Sequence, residues 1–297
     1  WAARGLRVPA RNALLADAVP REAYGRAYGF ERAMDNLGAI GGPLLALGLV
    51  AAFSVRSAIL LSVIPGLLAA GAIVYAIRHI PHATVTERQP LRLKLKPVMQ
   101  GRLGRLMLAV GAFEFGNVAA TLLILRATEL VAPGRGQDQA TQVALILYLA
   151  YNLAATATSV IAGRATDRIG SVAVLTGGAG AFLASYLLFA AAGSGVLLLG
   201  MPFVLAGIGI GCVETAEHAA VATFARSDIR GSAFGVLAAV QSFGNLAASG
   251  VAGLLWAVFS PRVAFIYVAA WMGVAIVGFL TAGRDARNRS SSSRSKQ

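Results

Sequence analysis

About eight stretches of roughly 20 mostly apolar residues run through this chain, each separated from the next by polar or Gly/Pro punctuation. A helix needs about that length to cross ~30 Å of hydrocarbon. The stretches cover residues 25–52, 57–77, 105–128, 141–162, 171–192, 196–215, 231–259 and 261–281. An open strand has no partner for its backbone in lipid, so each is expected to be a helix, and the chain an all-α polytopic membrane protein. Composition excludes the soluble alternative. With 57% of residues hydrophobic and 13% charged, a water-soluble globule could not hide its apolar surface. The net charge of +13 is no sign of a nucleic-acid partner, because the basic residues lie between the apolar runs and form no stripe of their own. The single cysteine, Cys212, excludes an internal disulfide.

The connecting segments alternate in charge. Arg78, Arg88, Arg92, Lys94, Lys96 and Arg102 fill one; Arg164 and Arg168, Arg226 and Arg230, and a tail with Arg284, Arg287, Arg289, Arg294 and Lys296 fill the others on the same side. The opposite connections are nearly bare. An excess of Lys and Arg marks cytoplasmic loops, which places the C-terminus in the cytoplasm of a multi-pass protein of the plasma (inner) membrane. The scarcity of Lys against Arg and the abundance of Ala and Gly read as a GC-rich bacterial composition. The serine-rich end, 289–297, is too polar to pack and is expected to be disordered.

The chain also resembles itself. Gly25 matches Gly231, and the same offset of 206 residues pairs Gly29 with Gly235, Gly38 with Gly244, Phe53-Ser54 with Phe259-Ser260 and Arg56 with Arg262. Parallel repeats related by an axis along the membrane normal are a transporter architecture with the substrate site between the halves. The offset implies that about a hundred residues, three helices and most of a fourth, precede Trp1 in the complete repeat. The expected organisation is therefore 1–77 as the remainder of an N-terminal six-helix half, 78–104 as a basic cytoplasmic loop, 105–281 as the C-terminal half and 282–297 as a disordered tail.

Two motifs sharpen this. Gly163-Arg164-Ala165-Thr166-Asp167-Arg168-Ile169-Gly170 resembles the G-x-x-x-D-R-x-G loop of the major facilitator superfamily, and lies on a short loop between spans as it does there. Gly29, Gly38, Gly42 and Pro43 resemble the antiporter motif of drug-exporting members, although Ala46 and Leu47 stand where its closing glycines belong. Physically, Gly38 and Gly42 form a small-xxx-small face and Pro43 permits a bend. Arg4 to Asn12 resembles the close of the fourth helix in some members. The resemblance implies a two-half bundle of twelve helices, of which this chain holds the fifth to the twelfth, and a secondary transporter exporting an amphipathic or hydrophobic small molecule in exchange for protons. Uptake of a sugar or metabolite, or a sensor on the same fold, is the alternative. It further implies a monomer in the bilayer, with no cofactor.

Ionisable residues at membrane depth are functional candidates by default. Glu114 lies ~14 Å into its helix and Asp35 ~15 Å into another, with Glu31 and Arg32 a turn away. Glu114 has no basic neighbour in sequence and is the candidate proton-coupling acid; Arg32 and Asp35 read as a neutralised pair; Arg126 is expected to snorkel. Asn117, Tyr148, Tyr151, Asn152, Gln241 and Asn245 are candidate cavity linings. Asp167 and Arg168 are expected to work at the loop, with Asp167 capping the helix that begins at residues 24–27. Shifting Arg11 by the repeat offset gives Glu217, which predicts an Arg11–Glu217 gate with Arg168 or Arg230 as competing partners for the acid. His79, His82 and His218 lack the spacing of a metal site, and no nucleophile motif or phosphate-cradling loop is present, so neither a metal centre nor an enzyme is expected.

Overall fold

The structure is a computed structural model that describes residues 2–79, 94–192 and 195–294. Most of the expected basic loop, including Arg88, Arg92 and His82, lies outside the described residues, as does Lys296. Helices α1 (Ala2–Ala18), α2 (Tyr24–Ala52), α3 (Val55–Leu61), α4 (Val63–His79) and the short α5 (Leu95–Val98) come first. They are followed by α6 (Gly101–Gly116), α7 (Ala120–Arg135), α8 (Gln137–Ile169), α9 (Ser171–Ala191), α10 (Val196–Phe224), α11 (Arg230–Val258) and α12 (Pro261–Arg294). Eight stretches are long and apolar enough to span a membrane, in agreement with the reading of the sequence. No strand occurs among the described residues.

The chain forms two compact units, Trp1–Asn36 with Lys94–Gln297, and Leu37–Leu93. In the larger, α8 and α9 pack on α10, α9 and α6 on α12, α7 on α8, and α6 and α1 on α11. Small residues set the closest of these crossings. A Cβ placed on Gly211 would come within 2.7 Å of the Ala155 carbonyl oxygen, and one on Gly207 would overlap that of Tyr151, so α10 and α8 approach backbone to backbone. Aromatic rings fill the wider spaces. Phe113 meets Phe182 at 5.4 Å between centroids, and Phe189 stacks on Phe265 at 5.0 Å, giving a packed column across α6, α9 and α12.

In the smaller unit Leu44, Leu45, Leu47, Ile59, Leu67 and Leu68 are exposed, as side chains facing lipid would be. A Cβ built on Gly38 or Gly42 meets nothing within 4 Å. Pro43 sits inside α2 without ending it.

Five boundaries depart from the sequence reading. The span expected over 141–162 is the longer α8, so the motif placed on a loop is helical through Ile169 and only Gly170 lies beyond the helix. The span expected over 105–128 is two helices, broken at Asn117–Ala119. The freed backbone groups are answered from α11: Asn245 Nδ2 donates to the Asn117 carbonyl (2.8 Å), and the Ala119 N–H donates to Ser249 Oγ (2.9 Å). The span at 57–77 divides at Ser62 into α3 and α4, because Pro65 has no N–H to return to the preceding turn. Helix α10 continues past Thr215 to Phe224, because Glu214, Glu217 and His218 are buried or half-buried side chains of one helix and not the polar start of a loop. Helix α12 runs on to Arg294 where disorder was expected, since no Gly or Pro follows Gly283 to interrupt its backbone ladder.

Candidate functional site

Two glycines bring α2 and α8 together. A Cβ on Gly163 would lie 2.6 Å from the Gly25 carbonyl oxygen, and one on Gly29 would lie 2.5 Å from that of Ser159. This contact delivers Asp167, in the last turn of α8, to the start of α2. Asp167 Oδ1 accepts the Gly25 N–H at 2.7 Å, while Oδ2 accepts the Arg26 N–H at 3.1 Å and Arg26 Nε at 3.0 Å. Those amides are among the first N–H groups of α2, which have no partner within their own helix and sit at its positive end. The Asp167 side chain is 12% exposed, so water competes little for the contact. Gly170, at φ +90°, turns the chain into α9 in a conformation disfavoured for other residues, and Arg168 is exposed beside it. A cavity of about 770 Å³ opens here, lined in part by Arg21, Arg102, Asp167 and Thr223.

Deeper in the same unit, charges from three helices meet. Arg11 of α1 pairs with Glu31 and lies 3.6 Å from Asp35. Arg32 lies 3.0 Å from Glu31, 3.4 Å from Asp35 and 4.0 Å from Glu214 of α10. The neutralised pair expected between Arg32 and Asp35 is thus part of a network shared with Arg11, Glu31 and Glu214. Arg11 does not meet Glu217. Helix α10 ends two turns beyond Glu217, so this acid lies ~10 Å inside the helix rather than at its mouth. Glu217 is fully buried, and its Oε1 accepts from Gln241 Nε2 of α11. Arg230, expected as a competing partner, bonds Asp17 instead. His218 Nδ1 lies 2.7 Å from the Glu214 carbonyl oxygen, which can only accept, so that nitrogen carries the proton.

Glu114 sits just before the break between α6 and α7 and is 4% exposed. Its Oε2 accepts Asn117 Nδ2 at 3.0 Å, a neutral partner supplied by the broken turn itself. Gly244 packs directly on Glu114, because a Cβ there would come within 2.5 Å of the Glu114 Cβ. Of the remaining candidates, Tyr151 stacks on Tyr148 at 5.5 Å, and Asn152 donates to the Tyr148 carbonyl of its own helix at 2.8 Å. Asn152 therefore spends its amide on α8. Arg126 does not snorkel: it is 13% exposed, with NH1 4.0 Å from Glu129.

Sequence reasoning missed Glu214 and the Asp17–Arg230 pair and misjudged the depth of Glu217 and His218. The signal for the α10 group was present, since positions 214, 217 and 218 have the i, i+3, i+4 spacing of one helix face. Among the described residues, no group of three or more His, Cys, Asp or Glu is placed to hold a metal ion.

The family model of the Major Facilitator Superfamily matches residues 1–128 and 130–297. The chain belongs to this superfamily. An uncharacterized MFS-type transporter of Methanocaldococcus jannaschii is 28% identical over 269 residues, 89% of this chain, and this chain spans 65% of that relative's length. Among solved structures, a bacterial homologue of the iron transporter ferroportin in its outward-facing state matches with a TM-score of 0.72 at 14% identity, over 91% of this chain and 67% of that one. The human organic anion transporter MFSD10 matches with a TM-score of 0.64 at 16% identity, over 93% and 67%. At such identities the likeness is one of fold. It makes the chain a multi-pass membrane protein with the superfamily's helical architecture.

Proposed function

We propose that this protein acts in secondary active transport, exporting an amphipathic or hydrophobic small molecule by alternating access in exchange for protons. The observation that carries the reading is Glu114, a buried carboxyl beside a broken membrane helix, whose Oε2 accepts from the neutral amide of Asn117. A carboxyl in low dielectric without a fixed cation gains and loses a proton as its surroundings change, which a proton-driven cycle requires. The break supplies the change of surroundings, because its backbone is held by α11 side chains that a moving helix would withdraw.

Asp167, with Gly25, Gly163 and Gly170, supplies the latch of this reading: its bonds to the start of α2 hold one access route shut and part when that route opens. In the same reading 1–77 belongs to one half and 105–281 to the other, joined by the cytoplasmic segment 78–104. The protein works as a monomer in the plasma membrane with its C-terminus in the cytoplasm. Gly29, Gly38, Gly42 and Pro43 give α2 the small face and bend of an exporter. The test is substrate movement by the intact protein in proteoliposomes under an imposed proton gradient. Glu114→Gln is expected to abolish gradient-driven movement while the protein stays folded. Unchanged dependence on the gradient in that variant would refute proton coupling through Glu114, and movement with the gradient rather than against it would favour uptake.

A further inference from the structure

The cavity of about 770 Å³ beside the α2–α8 junction has no role in the transport reading, and its wall carries two unanswered guanidinium groups. Arg21 comes from the turn before α2 and Arg102 from the start of α6. Among the described residues neither pairs with an acid; Arg102 lies over the Phe224 ring at 3.9 Å instead. Arg105, one turn further along α6, repels it. The two acids of the same wall do not offset this charge. Asp167 is spent on the start of α2, and Glu22 is exposed to water. A cleft with cations of this kind on its wall attracts an anion.

Neutral donors point the same way. Ser171, Val172 and Ala173 line the cavity, and no side chain caps the first N–H groups of α9, a helix of 21 residues. Free amides at the positive end of a helix are ready donors to an anionic oxygen. Thr166 lines the cavity as well; it is 6% exposed, and its Oγ1 has no hydrogen-bond partner. A buried hydroxyl left unanswered is costly, so a ligand oxygen that accepts from it regains that cost. Much of the remaining wall is apolar, with Ile169, Phe224 and Leu280 in it. At about 770 Å³ the cavity falls within the range of about 300–1,000 Å³ that receives a whole small molecule, more room than a bare oxyanion fills.

We infer that this cavity binds a phosphate ester, with the phosphate held by Arg21, Arg102 and the start of α9 and the apolar part of the ligand lying along Ile169, Phe224 and Leu280. Guanidinium groups and main-chain N–H donors together answer the phosphate oxygens, and the apolar wall covers what the phosphate is attached to. Two sources carry this chemistry, an anionic phospholipid of the adjoining leaflet and a soluble phosphate ester. The inference stands apart from proton-coupled export, since it uses neither Glu114 nor the charges deeper in the bundle.

Three probes separate the parts of the ligand: dioctanoyl phosphatidylglycerol, dioctanoylglycerol, which lacks the phosphate, and glycerol 3-phosphate, which lacks the chains. Their binding to the intact protein in detergent is read by microscale thermophoresis. Phosphatidylglycerol should bind at least about tenfold more tightly than dioctanoylglycerol, and Arg21→Gln with Arg102→Gln should remove most of that difference, as expected for two cations near a membrane surface. Both side chains are exposed, and thermal unfolding reports that the double variant keeps its fold; either single change reads the same way where the pair does not fold. Arg226→Gln, at a side chain 83% exposed and outside the cavity, is the control and should bind as the parent does. Glycerol 3-phosphate binding as tightly as the lipid, with the same dependence on Arg21 and Arg102, supports the site and makes its ligand a soluble ester; weaker binding makes it a lipid. Equal binding of the two dioctanoyl probes with no binding of glycerol 3-phosphate overturns the inference. So does an undiminished preference in the folded double variant, or an equal loss in Arg226→Gln.

Discussion

Asp167 at the end of α8 holds the start of α2 through the backbone N–H groups of Gly25 and Arg26, so an acid in the last turn of one helix and the start of another, with Gly25 142 residues away in the chain, form one junction. Two of the donors are main-chain N–H groups and the third is Arg26 Nε, and Asp167 is the one partner common to all three. The acid is therefore the sensitive partner. Asp167→Ala should weaken the junction by about 0.5–2 kcal/mol, the ordinary value of a lost helix cap. Amide hydrogen exchange at residues 25 and 26 should rise several-fold. Exchange unchanged from the parent would mean that water replaces the carboxylate at no cost.

The same junction depends on the absence of a side chain at Gly163. Gly163→Val places carbon against the Gly25 carbonyl and the Arg26 backbone, where only a shift of one helix makes room. A loss of about 1–3 kcal/mol is expected, as for other overpacked contacts, read as a lower unfolding temperature in detergent. Gly250→Val and Gly253→Val, with nothing within 4 Å of a built Cβ, are the controls and should leave that temperature nearly unchanged.

Arg11 and Glu31 face each other, whereas Arg11 and Glu217 do not. Exchanging the charges of the first pair, Arg11→Glu with Glu31→Arg, should recover part of whatever activity each single change loses. Because Arg11 is 42% exposed, the coupling in a double-mutant cycle should be only about 0–1 kcal/mol. The corresponding exchange of Arg11 with Glu217 should give no recovery, and a recovery there would show that the two residues meet in another state of the cycle.

At the break between α6 and α7, Asn245 and Ser249 stand in for the missing helical bonds. Asn245→Leu strips the Asn117 carbonyl of its donor and should cost about 1–3 kcal/mol, the penalty of a buried group left unpaired. Disulfide cross-linking between engineered cysteines on α7 and α11 would report whether the break then straightens or shifts. Unaltered cross-linking and stability would remove α11 from its proposed role in holding the break.

The apolar runs by themselves determined the architecture. A run of about 20 apolar residues has one stable form in lipid, so the number, type and approximate place of the membrane helices follow from hydropathy alone. The motif at 163–170 likewise carried the placement of its acid, because Gly163 and Asp167 act on backbone groups that every helix start provides. Pairing among side chains was not legible in the same way. The offset between repeats set Arg11 against Glu217, but α10 continues to Phe224 and buries that acid, while α2 presents Glu31 to Arg11 at closer range. Which acid a guanidinium meets depends on helix rotation and depth, and these are decided by the packing of small residues such as Gly207 and Gly211 on α8. The break at Asn117–Ala119 is of the same kind: its unpaired backbone groups are tolerable only because α11 brings Asn245 and Ser249 to them, a compensation made 128 and 130 residues away in the chain.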